Sequence, residues 1–289
     1  MGPSLPASAR RIWAVSALTA LSAGCENEVS VQLLAKQHPG CVPGEACSDF
    51  RPALYFRGPY DHVEVPSSPG LNVPQDFCLE AWVIIENYAG GHGVLNRWSP
   101  AVADLQLTFG VPEPLPPAEL PNMDPLPSHA LASWAFIRPR TWVSVVAPTA
   151  PAPETWHHIA ASYGGGSLKL YIDGTLVASA PSTELVPNPP SNLYIGATAR
   201  YERDFDVSRG SAWWPPMQGF IADVRLSTND RYPAAFVPQA RLQADTSTIA
   251  LWHLDEGQGQ VANDSGAQSL HGAIRGATWA LAPVRRSPP

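Results

Sequence analysis

Between Trp156 and Ala180 the chain reads WHHIAASYGGGSLKLYIDGTLVASA, three short runs of alternating apolar character split by Gly-Gly-Gly and by Asp-Gly. Asp173-Gly174 supplies the two positive-φ residues that a two-residue hairpin turn needs, so the stretch predicts three antiparallel strands in a row. The same rhythm recurs in ALYFRG, DHVEVP, DFCLEAWVII, VLNRW, DLQLTFGV, SWAFI, TWVSVV, NLYIGA, GFIADVRLS and TIALWHL. In DFCLEAWVII, Phe77, Leu79, Ala81 and Val83 fall on one face, and Cys78, Glu80 and Trp82 on the other. No helical apolar period runs beyond about three turns. Many short strands without helices mean a sandwich or a barrel. The 32 prolines and 22 glycines are turn punctuation, and 45% hydrophobic residues with ten Trp supply a core, so the composition is not that of a disordered chain. A net charge of −7 without clustered Lys or Arg argues against a nucleic-acid binder.

At the N-terminus Arg10 and Arg11 precede the apolar run IWAVSALTALSA, residues 12–23, and then Gly24-Cys25. That run is too short to cross a bilayer as a helix and fits the apolar region of an export signal. LSAGC resembles a bacterial lipobox, with Leu21 four residues before the Cys where the motif has three. The resemblance implies cleavage before Cys25, acylation of that residue and stable membrane attachment, each buried methylene contributing ~0.8 kcal/mol. The alternative is plain secretion from an ordinary cleavage site. Glu26 is not the Asp that retains enteric lipoproteins in the inner membrane, so the outer membrane is expected where the cell has one. Residues 25–50 read as a tether. In an oxidising compartment CVPGEAC reads as a small Cys41–Cys47 disulfide loop, and closing so short a loop stabilises by roughly 2 kcal/mol. Cys78, inside a strand, reads as a buried free thiol.

ALYFRGPYDHVEVPSS…FCLEAWV, WHHIAASYGGGSLKLYIDGTLVASA, NLYIGA and GFIADVRLS together resemble a LamG-like domain of the concanavalin A-like superfamily over residues 51–285. The resemblance implies a two-sheet antiparallel jelly-roll sandwich. Residues 250–279 are similar to a segment that often flanks such domains, and here it follows the domain. The superfamily holds lectins, adhesion modules and enzymes, so the resemblance leaves the ligand open. It also implies a rim site for calcium, bound by carboxylate and carbonyl oxygens. Asp61 in GPYDH and Asp264 in NDSG are the candidates, set against the ordinary use of turn aspartates as backbone caps. Asp223 in IADVR reads as structural.

Neighbouring strand residues face opposite ways, so His157 and His158 cannot readily grip one ion. Laminarinase-type relatives use E-x-D-x-x-E, but ERDFDV offers Glu202 and Asp204 with Val207 where the second Glu must stand. SAWWPPM places Trp213 and Trp214 in a Pro-flanked loop, with Tyr201 just upstream; exposed aromatic groups of this kind mark interaction sites, set against one or both folding down to cover an open end of the sandwich. The Pro-rich stretch 111–127, with seven prolines, is a surface loop. The expectation is a non-catalytic, surface-anchored module that binds a glycan or an envelope or extracellular protein. The alternatives are an accessory or degenerate polysaccharide-acting enzyme and a purely structural envelope lipoprotein.

Overall fold

The computed structural model describes residues 50–58, 61–86, 88, 92–98, 103–109, 131–138, 141–182, 190–197 and 217–285. The runs read as extended are strands: β1 (Phe50–Phe56), β2 (His62–Val65), β3 (Phe77–Ile85), β4 (His92–Trp98), β5 (Ala103–Phe109), β6 (Leu131–Arg138) and β7 (Thr141–Val146). The 156–180 stretch gives β8 (His157–Gly164), β9 (Ser167–Ile172) and β10 (Thr175–Pro181), followed by β11 (Leu193–Ile195) and β12 (Gly219–Ser227). The C-terminal part adds β13 (Thr248–Trp252), β14 (Val261–Ala262), β15 (Gly272–Arg275) and β16 (Thr278–Pro283). One 3-10 turn, Pro69–Leu71, is capped by Ser68, whose side chain accepts from the Gly70 amide.

The strands form two antiparallel sheets. Sheet A runs β10-β9-β8-β3-β12-β1-β16 with β13 beside β12, and sheet B runs β14-β15-β2-β11-β4-β5-β6-β7. Period-two alternation turns Leu54, Phe56, Leu79, Val83, Ile159 and Ile221 of sheet A toward Val63, Val65, Leu95, Leu193 and Ile195 of sheet B in one apolar core. This is the jelly-roll sandwich that the sequence predicts. No helix among the described residues is long and apolar enough to cross a membrane.

Two strands depart from the simple in-out pattern. Every residue of β3 and of β12 is buried. The inner face of β3 meets sheet B, while its outer face lies beneath residues 228–247, an irregular segment that crosses sheet A. Trp82 Nε1 donates to Gln239 O at 3.0 Å, Lys169 pairs with Asp230, and the Tyr171 hydroxyl donates to Tyr232 O. Asp173 and Gly174 take φ of 50° and 77°, the two left-handed values of a type I′ turn. Gly174 also lets this segment come close: its carbonyl accepts from Phe236 N at 2.9 Å, and a Cβ there would sit 1.8 Å from Phe236 O.

The segment that follows the domain docks on both sheets. β16 pairs with β1, β13 extends the C-terminal half of β12, and β15 pairs with β2. Trp252 is fully buried in the core, its Nε1 donating to Leu270 O at 2.8 Å.

Candidate functional site

A buried cluster of polar side chains lies on the outer face of sheet A. Register sets Glu80 of β3 between Ala160 of β8 and Arg225 of β12. Glu80 is 0% exposed. Its Oε1 accepts from Arg225 Nε at 2.7 Å; its Oε2 accepts from the Tyr232 hydroxyl at 2.7 Å and from His158 Nε2 at 3.0 Å. An ionised carboxylate only accepts, so the His158 proton sits on Nε2. Burial by itself raises the carboxyl, but the His158 and then the Arg225 interactions reverse this and hold it at about 2. A Glu–His pair is raw material for acid–base chemistry. Here Trp82 and Phe236 close edge-on around the imidazole, with centroids at 5.4 and 5.6 Å, and the side chains of His158 and Glu80 are both 0% exposed. This centre therefore holds residues 228–247 on the sheet. Cys78 beside it is a buried free thiol, pushed well above its ordinary value by burial and then by the Glu80 charge.

The opening His pair divides as alternation requires. His158 joins the Glu80 centre, while His157 Nδ1 lies 2.6 Å from Asp173 Oδ2 and ties the hairpin turn to β8. Asp223 sits at a bulge of β12 with φ 45° and is fully buried. Its two oxygens meet His253 Nδ1 at 2.5 Å and Arg285 Nη2 at 2.6 Å, a structural role.

Asp61 and Asp264, the two calcium candidates, are both backbone caps. Asp61 Oδ2 accepts from the Arg57 and Gly58 amides, each at 2.9 Å. Asp264 Oδ1 accepts from the Leu251 and Gly266 amides and Oδ2 from the Leu270 amide, at 2.7–2.9 Å. Among the described residues no three His, Cys, Asp or Glu side chains group as a metal site.

A different arrangement stands on the outer face of sheet B. Glu64 of β2, Tyr194 of β11 and Asn96 of β4 pair directly across the strands, and their chain neighbours Val63, Val65, Leu193, Ile195 and Leu95 face the core. Glu64 Oε1 accepts from Asn192 Nδ2 at 2.6 Å. Asn96 is 0% exposed; its Nδ2 donates to Ala197 O at 2.9 Å, and its Oδ1 has no partner. A buried carbonyl without a donor costs about 1–3 kcal/mol, so such a group stands out. Beside it, Gly196 N donates to Val94 O at 3.0 Å and Met217 N donates to Gly196 O at 3.4 Å. The stems of the connection that carries Tyr201, Trp213 and Trp214 therefore meet at the edge of this row. Those three residues lie outside the described residues, as do Cys25, Cys41, Cys47, Glu202, Asp204 and the 111–127 stretch.

Sequence reasoning did not single out Glu80, Arg225 or Asn96. For the first two a signal existed, a charged residue within an otherwise apolar strand run; Asn96 in VLNRW carries none.

Residues 57–235 match a laminin G family of the concanavalin A-like lectin/glucanases superfamily, and the chain belongs to it. Among solved structures it is similar to a Bacteroides ovatus protein described as carbohydrate binding, at 15% identity and a TM-score of 0.54, over 83% of this chain and 61% of that one. Domains LG4–5 of the mouse laminin α1 chain align at 13% identity and a TM-score of 0.43, over 68% of this chain and 47% of theirs. The chain thus spans less than two thirds of either. No curated protein matches it in sequence.

Proposed function

We propose that this protein is a non-catalytic binding module that recognises a carbohydrate on the outer face of sheet B. The observation that carries this reading is Asn96: a fully buried carboxamide with an unpaired oxygen, in line with Tyr194 and Glu64. Sugar hydroxyls are donors that a carboxamide oxygen accepts, and aromatic faces stack on sugar C–H groups. Trp213, Trp214 and Tyr201, on the connection whose stems close at Gly196, are assigned that stacking role. The glycan-array profile of the full-length protein tests this, read with calcium and again with a chelator. Trp213→Ala with Trp214→Ala is expected to weaken binding at least tenfold, since aromatic anchors of a binding site are typically worth ~2 kcal/mol or more. Because Asp61 and Asp264 already accept backbone bonds, binding is expected to survive chelation; loss on chelation assigns a calcium to the site instead. No bound glycan under either condition overturns the carbohydrate reading and leaves a protein partner.

Cys25 is assigned the lipid anchor and the outer membrane the location, on the strength of the LSAGC motif and Glu26. Cells fed a clickable palmitate analogue should label the protein, and Cys25→Ser should abolish the label. A wild-type chain that stays unlabelled in the medium means plain secretion.

A further inference from the structure

Residues 228–247 do more than cover the outer face of sheet A. A cleft of about 420 Å³ opens in this segment, lined among others by Asn229, Arg231, Tyr232, Phe236, Gln243 and Asp245. Its size lies within the roughly 300–1,000 Å³ of small-molecule sites. We propose that this cleft binds a neutral, hydroxylated ligand of one or two sugar rings, at a site separate from the face of sheet B.

Charge selects the ligand class. Arg231 donates to both oxygens of Asp245, at 2.7 and 2.6 Å, and Arg225 behind it is paired with Glu80. Each guanidinium thus has its own carboxylate. An ionic ligand would find no uncompensated charge and would have to break one of these pairs. A hydroxyl needs no such exchange, because it donates to the carboxylate and accepts from the guanidinium edge. Asn229 is half-buried in the cleft wall, and its buried Oδ1 has no donor. Gln239 and Gln243 bring two exposed carboxamides.

The apolar side is equally specific. Phe236 stacks on Tyr232 with centroids 3.5 Å apart and planes 5° from parallel, and Val237 beside them is 70% exposed. A wall of ring and methyl carbons opposite amides and a carboxylate matches the two sides of a pyranose, C–H faces and hydroxyl edges. The walls are held in place without a ligand. Arg225 Nη1 donates to Gln243 O at 2.6 Å, Trp82 Nε1 to Gln239 O at 3.0 Å, and Phe236 N to Gly174 O at 2.9 Å. Little ordering is left to be done on binding. This site lies on the face of the sandwich opposite to Asn96, so a chain occupied at both would bridge two glycan strands.

Saturation-transfer NMR on the full-length protein tests the cleft, with a panel of neutral mono- and disaccharides and with glucuronic acid as the anionic probe. The expected result is transfer to at least one neutral sugar that persists in the Trp213→Ala, Trp214→Ala double variant. Asn229→Leu and Gln243→Ala should each weaken it, by about tenfold for a lost hydrogen bond to a sugar hydroxyl. Gln243 is exposed, so that variant keeps its fold should Asn229→Leu not. Absence of transfer to every neutral sugar, transfer unchanged in both cleft variants, or preference for glucuronic acid each overturns the proposal. Loss of transfer in the tryptophan variant alone places the sugar on sheet B and equally removes the cleft.

Discussion

Glu80→Ala is expected to lower the unfolding free energy by about 3–5 kcal/mol, the range for removing one partner of a buried ion pair. The substitution strands Arg225 and leaves His158 Nε2 and the Tyr232 hydroxyl without their acceptor. It also frees residues 228–247 from the sheet, so protease sensitivity in that segment should rise with the loss of stability. The pH dependence has a definite sign. The carboxyl is held at about 2 against an ordinary 4.5. A group lowered in the folded state stabilises fully above its unfolded value and stops doing so as the pH falls toward its folded one. Stability should therefore decline from about pH 4.5 toward pH 2, by about 3 kcal/mol from this group. In Glu80→Gln that contribution to the slope should vanish. Urea unfolding of the three proteins between pH 2 and 7 decides the matter. An alanine variant within about 1 kcal/mol of wild type would falsify the role given to this centre.

Ending the chain after Ser247 is expected to abolish cooperative folding, although the family match itself ends at residue 235. The removed strands are not an appendage. β16 supplies the outer partner of β1, β13 the partner of the C-terminal half of β12, and β15 the partner of β2. Loss of these bonds opens edges on both sheets at once. Trp252 leaves the core with them, and emptying a Trp-sized site alone costs about 3–5 kcal/mol, a large part of the 5–15 kcal/mol that holds a typical domain together. Near-ultraviolet circular dichroism and urea titration should show no transition. A retained sigmoidal transition would mean that residues 50–247 form an independent sandwich.

The hairpins from Trp156 to Ala180 were legible because turn chemistry and period-two alternation are local properties, carried by neighbours in the chain. The separation of His157 from His158 follows from the same alternation, and so does the sorting of Phe77, Leu79, Ala81 and Val83 from Cys78, Glu80 and Trp82. What alternation could not disclose is that the second face of β3 is also buried. Its cover, residues 228–247, has no period of its own and is held by single long-range bonds from Trp82, Arg225 and Tyr171. Sequence order was equally silent about the C-terminal segment, since strand pairing across some 200 residues leaves no local mark.

The sequence by itself thus determined the strands and their turns, consequences of backbone conformation and short spacing, and its family resemblance implied the sandwich, while Asp61 and Asp264 stayed open between calcium ligands and backbone caps. Only the tertiary structure decided that Glu80, His158, Arg225 and Tyr232 form one charge centre, that Asn96 is left with an unpaired oxygen, and that a cleft opens above Tyr232. Each of these depends on which strand lies beside which, and that choice is made by the free energy of the whole core rather than by any run of residues.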